Sequence, residues 1–262
     1  MISYIAVRHE ARARGQVAFV TLTNASKLNS LSSEVMAQAT EAFRRLAVEP
    51  GLRAAVLTGE GQAFIGGANI DEMAAIASPA EGRAFITKVH GLSKAIRDTP
   101  FPVIAAINGW CLGAGLEVAA ACDMRLAADT AMLGMPEVKL GIPSVIEAAL
   151  LPQLIGWGRA RQILMTGETF TAHDALAWGL VEEIHPPERL GAACGAMLDK
   201  LLEAEPRAAA LQKALMQRWE ELPMTQAIAA GIDAFEAAWT TDEPARAMAR
   251  FLADRKAAKA GR

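Results

Sequence analysis

The chain has 262 residues, 52% of them hydrophobic and 21% charged, and a formal net charge of -3 at pH 7. That is enough apolar material for a substantial core, in one main domain with an appendage. The acidic balance gives no basic footprint for nucleic acid or an anionic membrane surface, so neither is expected as a partner.

Met1 to Val7 reads as a strand start rather than a targeting segment, and Tyr4 to Val7 with Val17 to Leu22 form a predicted strand pair. A helix is predicted over Ser32 to Val48. Ser opens it as N-cap, Glu34 sits early, and Val35, Met36, Ala39, Phe43 and Leu46 follow at helical spacing. Ala54 to Thr58 is the next strand, which suggests a crossover unit, and the pattern repeats as a helix over Arg83 to Arg97 leads into Val103 to Ile107. That last segment is a continuous apolar run of the kind found in strands covered on both faces. Pro102 to Cys122 is nearly uncharged and long enough to cross a bilayer, but it begins with proline and carries Asn108, Glu117 and three glycines. It reads as a buried strand, a turn and a helix. Helical sequence dominates after about residue 145. Thr171-Ala172-His173-Asp174 has a capping-box pattern with Asp where Glu or Gln is usual, and Pro186-Pro187 breaks the chain. From Glu188 onward the sequence is alanine-rich and helix-forming. A boundary near residue 195 would separate a core over 1–195 from a helical C-terminal region over 196–262.

Cys111, Cys122 and Cys194 lie in apolar surroundings without Cys-x-x-Cys spacing, and they read as buried, reduced thiols of a cytoplasmic protein. His9, His90, His173 and His185 are scattered without metal-ligand spacing, so surface or capping roles are expected and no metal site.

Glu117 and Glu137 carry the chemistry. Each is a carboxylate inside apolar sequence, costly unless paired, protonated or used. General acid and base work on one substrate needs two such groups. Glu117 follows Gly113-Ala114-Gly115. This is not a dinucleotide fingerprint, because the third glycine position is Val118 and no early strand-turn-helix unit surrounds it. The two glycines instead free the backbone so that the Ala114 N–H opens a helix N-terminus, where negative charge is favoured. The turn Phe64-Ile65-Gly66-Gly67-Ala68-Asn69 offers a second N–H, and two such donors make an oxyanion hole. Either turn alone reads first as an ordinary strand-to-helix connection.

In order and spacing these pieces resemble the enoyl-CoA hydratase/isomerase family, also called the crotonase family. The resemblance rests on Lys27-Leu28-Asn29-Ser30-Leu31, on Leu57-Thr58-Gly59 through Phe64 to Met73, and on Pro102 to Gly109. It continues through Gly113 to Glu117, Cys122-Asp123, Pro136-Glu137, Leu164 to Gly167, Ala175 to Val181 and Phe251 to Lys256. The family implies an α/β fold, a crotonase-like spiral of ββα repeats with a helical C-terminal trimerisation region, assembled as a trimer or a dimer of trimers. It implies an acyl-CoA thioester substrate whose enolate is held by the backbone N–H groups of Ala68 and Ala114, with no cofactor beyond the coenzyme A of the substrate. By the same resemblance Lys27 and Lys256 are candidate CoA phosphate contacts. The backbone at Phe64, Ile65, Gly66 and Gly67 faces the adenine side, and Ile70, Gly113, Pro136 and Ser144 complete the expected substrate contacts.

In the family's hydratases, glutamates at the positions of Glu117 and Glu137 activate water and protonate the α-carbon, so having both favours an enoyl-CoA hydratase. Isomerases of the family work with the carboxylate matching Glu137 alone. A hydroxyacyl-CoA dehydratase, a thioester hydrolase, and a non-catalytic CoA-thioester or RNA-binding homologue are the remaining readings. The pair of glutamates argues against a dead site and the acidic balance against RNA. Two departures stand out. Asn69 replaces the commoner Asp. The segment Gly141-Ile142-Pro143-Ser144-Val145-Ile146-Glu147 carries larger side chains than the small-residue run of the hydratases, which implies a reshaped acyl pocket. Glu147 itself reads as a helix-start charge ahead of a third pocket carboxylate.

Overall fold

The computed structural model describes residues 2–260. Strands β1 (Ile5–Arg12) and β2 (Gly15–Leu22) pair antiparallel, and α1 (Ser33–Ala47) follows with the Ser32 hydroxyl accepting from the Val35 N–H. The helix buries Val35, Met36, Ala39, Phe43 and Leu46, the face its periodicity predicts. Then come β3 (Leu52–Gly59), β4 (Ala63–Ile65), α2 (Ile70–Ala74), α3 (Pro79–Arg97), β5 (Val103–Ile107), β6 (Trp110–Leu112) and α4 (Ala114–Ala121). They are followed by β7 (Met124–Ala128), β8 (Met132–Gly134), a 3-10 helix at Pro136–Leu140 and another at Ile146–Leu150. Next are α5 (Leu151–Thr166), β9 (Thr169–Thr171), α6 (Ala172–Trp178), β10 (Glu183–His185) and α7 (Pro187–Leu202).

The strands segregate into two sheets, ordered β1-β2-β3-β5-β7-β10 and β4-β6-β8-β9. Each repeat places its first strand (β3, β5, β7) in the larger sheet and its second (β4, β6, β8) in the smaller one. The β3–β5–β7 and β4–β6–β8 neighbours are parallel, which requires a crossover at every step. This is the ββα spiral. β5 is buried at every position, as its unbroken apolar run demands. The predicted turn between β5 and α4 contains the short strand β6. Short β9 and β10 likewise interrupt what the sequence reads as helical. All three have only three residues, too short for a periodicity to show. The Thr171–Asp174 capping box forms in both directions.

Cα proximity divides the chain between Asp199 and Lys200, inside α7. The second unit continues with α8 (Pro206–Glu221), α9 (Met224–Ala238) and α10 (Glu243–Ala260). Within it the Glu243 carboxylate accepts from the Arg207 and Ala208 amides, and the Trp219 indole donates to the Ala227 carbonyl. Met224, Ile228, Ile232 and Phe235 repeat at helical spacing along α9 and are each more than 60% exposed. Among the described residues no helix is long and apolar enough to cross a membrane. None of the three cysteines is in a disulfide, and all are buried.

Candidate active site

Two backbone turns meet at one cleft of about 450 Å³ in the first unit. The first turn is built by the segment at Lys27 to Leu31. Asn29 is fully buried, in a left-handed conformation (φ 55°), and its side-chain amide donates to the carbonyls of Glu60 (2.9 Å) and Ala63 (2.7 Å). That clamp holds the entry to β4. Past β4, the Gly66 N–H donates to Leu28 O, the Leu31 N–H to Gly67 O, and the Asn69 N–H to Leu31 O. Leu31 thus bridges in parallel to the backbone on both sides of Ala68. In such a bridge the enclosed residue's own N–H and C=O point the other way, so the Ala68 amide faces away from Leu31. Gly67 sits at φ 116°, a conformation open to glycine, and Asn69 caps α2 by accepting from the Glu72 N–H at 2.9 Å. An Asn oxygen serves that cap as well as an Asp oxygen, so the departure at this position leaves the turn intact.

The second turn begins α4. Gly113 (φ 53°) is its N-cap, and Ala114 is the first helical residue, whose N–H the helix itself leaves without an acceptor. The backbone conformation at Gly113 favours glycine, and a β-carbon there would push the Glu137 carboxylate from its place. Every residue of α4 is buried.

Glu117 lies one turn into α4, 3% exposed. Burial foremost, then the nearby charge of Glu137, pushes its carboxyl up to about 8; the Val145 N–H donates to its Oε1 at 3.3 Å and opposes the shift, while Glu147 adds to it. Glu137 stands in the 3-10 helix after Pro136, half-buried, with the Ser144 hydroxyl donating to its Oε2 at 2.9 Å. Both glutamates line the cleft, together with Gly66, Gly67, Ala68, Ile70, Gly113, Ala114 and Pro136. Met73, Ile76, Phe85 and Ile86 supply one apolar wall; Leu140, Ile142, Pro143 and Val145 supply the other.

Other expected substrate contacts lie elsewhere. Phe64 and Ile65 are fully buried in β4 and are not part of the cleft wall, nor are Lys27, which is exposed, and Ser144, which holds Glu137. Lys256 is exposed on α10 of the second unit. Glu147 does stand in the first turn of the 3-10 helix at Ile146–Leu150, a helix-start acid outside the cleft lining, but it is only 7% exposed, with Oε1 2.7 Å from His90 Nδ1. His90 itself is exposed, as expected of a surface histidine. The signal was available in the sequence, because Glu147 is an acid inside the run Val145-Ile146-Glu147-Ala148-Ala149-Leu150-Leu151, the pattern that singled out Glu117. Among the described residues no cluster of three His, Cys, Asp or Glu side chains is placed to hold a metal ion.

An apolar cleft with two outward-facing amides and two carboxylates is suited to holding a thioester oxygen while protons move at neighbouring carbons. The sequence pattern of the enoyl-CoA hydratase/isomerase family matches residues 12–261. The short-chain-enoyl-CoA hydratase of Clostridium acetobutylicum is 33% identical over 92% of this chain and 93% of its own length. The crotonyl-CoA hydratase of Syntrophomonas wolfei is 32% identical over 92% and 94%. The crystal structure of an enoyl-CoA hydratase from Bacillus anthracis superposes with a TM-score of 0.89 at 29% identity, covering 96% of this chain and 97% of that one. With sequence and fold matched along nearly its whole length, the chain belongs to the enoyl-CoA hydratase/isomerase family.

Proposed function

We propose that the chain is an enoyl-CoA hydratase, which adds water reversibly across the α,β double bond of a 2-enoyl-CoA thioester. The observation that carries this reading is that Glu117 and Glu137 line the same apolar cleft as Ala68 and Ala114. The thioester oxygen accepts from the amides of Ala68 and Ala114, so the negative charge of the enolate develops against fixed donors at the positive end of α4. Glu117 takes a proton from water as the water oxygen bonds to the β-carbon, and Glu137 delivers a proton to the α-carbon. One proton on the pair therefore serves both directions: it sits on Glu137 before hydration and on Glu117 before dehydration. A Glu117 carboxyl near 8 suits a group that must both give and take a proton close to neutrality. These groups account for every proton moved, with coenzyme A as part of the substrate and no further cofactor. Lys27 and the backbone of Gly66 and Gly67 are the proposed contacts to the coenzyme A moiety.

The core over 1–195 is proposed to act as the catalytic part and the region over 196–262 as the oligomerisation region of a trimer or a dimer of trimers. The exposed apolar stripe on α9 supports this reading, since a lone chain would leave it in water. Light scattering should give three or six times the chain mass, and a stable monomer overturns it. Cys111, Cys122 and Cys194, buried and in no disulfide, fit a reducing compartment, and the cytoplasm is the proposed location.

Incubation with a panel of 2-enoyl-CoA thioesters, followed by mass spectrometry, tests the activity. The expected product is heavier by one water. A product of unchanged mass with a moved double bond makes the protein an isomerase, and release of free coenzyme A makes it a hydrolase; either result removes the hydratase reading.

A further inference from the structure

Ile146 is a β-branched residue at φ 42°, in the left-handed region that such side chains avoid. Strain of this kind persists only where the surroundings over-determine the backbone. Two contacts flank it. On its N-terminal side the Val145 N–H donates to Glu117 Oε1 at 3.3 Å, and on its C-terminal side Glu147 Oε1 lies 2.7 Å from His90 Nδ1. The Glu147 carboxylate is buried, and its Oε2 has no hydrogen-bond partner, so the His90 contact at Oε1 anchors it and is correspondingly costly to lose. His90 stands on α3, one turn beyond Phe85 and Ile86 of the cleft wall, with half of its side chain in solvent.

We infer that Glu147, clamped by His90, is a positioning residue for Glu117: the clamp holds the strained turn from which the Val145 N–H reaches the Glu117 carboxylate. The inference rests on the role given to Glu117 above. The geometry makes the strain at Ile146 intelligible. Without the clamp, Ile146 relaxes towards an ordinary conformation, the Val145 amide swings off Glu117, and the carboxylate loses one of the two backbone donors, Val145 and Ala148, that favour its charged form. The negative charge of Glu147 also adds to the upward shift of Glu117.

Hydrogen exchange at the Val145 amide tests the clamp without reference to activity. In Glu147→Ala and in His90→Ala this amide should exchange at least about tenfold faster, while the amides of β5 stay protected and report an intact fold. His90→Asn keeps a donor near the Nδ1 position and should restore protection. If Glu147→Ala does not fold, the two His90 variants decide the question. Unchanged Val145 exchange in the folded variants overturns the inference. Kinetics give the second readout. Glu147→Ala should lower kcat about 10- to 100-fold with KM nearly unchanged, the cost of a displaced catalytic group. In a Glu117→Gln background the same substitution should cost nothing further, because its effect runs through Glu117. A full additional loss there overturns the inference. Should the wild-type protein hydrate no enoyl-CoA, the hydratase reading fails, and the Val145 exchange still decides the clamp.

Discussion

Glu117 enters the cleft from the first turn of α4, while Glu137 enters it from the 3-10 helix after Pro136, against the Gly113 that starts the same α4. Around Glu117 the sequence is glycine, alanine, leucine and valine, solvent is shut out, and the donors are backbone N–H groups, Val145 at 3.3 Å and Ala148. Around Glu137 there is partial access to water and a serine hydroxyl at 2.9 Å. Two groups of identical chemistry thus meet one substrate from different environments, and environment is what divides acid from base when the side chains are the same. A fold that buried both alike would leave nothing to choose where the shared proton sits.

The comparison breaks most sharply at the carboxylates. Glu117→Gln and Glu137→Gln should each keep the fold and CoA binding and lower hydration by about 10²- to 10⁴-fold, the usual size of general acid-base assistance. Near wild-type turnover in both variants removes the pair from the mechanism. The amides come next. Ala114→Gly keeps the N–H and should retain most activity. Ala114→Pro deletes the donor at a helix position where proline is otherwise tolerated, and should cost about 10²- to 10³-fold. Wild-type turnover by a folded, CoA-binding Ala114→Pro variant would place the thioester oxygen elsewhere. Ser144→Ala touches the Glu137 side alone. Loss of a hydroxyl bonded to a carboxylate should reduce kcat about tenfold with little change in KM. A rise in KM alone would make Ser144 a substrate contact, its role by resemblance, instead of a support for Glu137.

Most of the larger elements were legible because their signals are local. The Ser32 cap, the α1 stripe, the unbroken apolar run of β5 and the capping box at Thr171 each specify an element from within a few residues. The two glutamates and the two turns were legible as well, since acids in apolar runs and paired glycines are conspicuous. What did not show was pairing over distance. The amide of Asn29 reaches carbonyls at Glu60 and Ala63, and His90 reaches Glu147 across 57 positions, contacts that no spacing rule encodes. The buried guanidinium of Arg125 is similar: it donates to Leu180 O and Cys122 O and pairs with Glu182, joining β7 to the approach of β10, yet alone it reads as one more charge.

The smallest expected effect concerns pH, and it isolates Glu117 from Glu137 without touching either. If one proton on the pair is needed in both directions, kcat/KM must fall where that last proton is lost, and the apparent value belongs to the pair. Glu117 holds its proton up to about 8, so the alkaline limb should lie there, with about a fivefold drop between pH 8 and pH 9. Because the equilibrium constant for adding neutral water does not depend on pH, the limb must fall at the same place for hydration and for dehydration. The same group leaves a mark on stability. Its folded pKa is raised above an unfolded value of about 4.3, so ionising it in the native state costs free energy: the stabilisation present below about pH 4 is lost as pH rises towards 8. Glu117→Gln has nothing to ionise. It should therefore gain stability relative to wild type as pH climbs from 5 to 9, measured by denaturant unfolding across that range. A gap between the two proteins that does not widen over those pH units would mean that Glu117 is not held in the buried, charge-crowded setting that distinguishes it from Glu137.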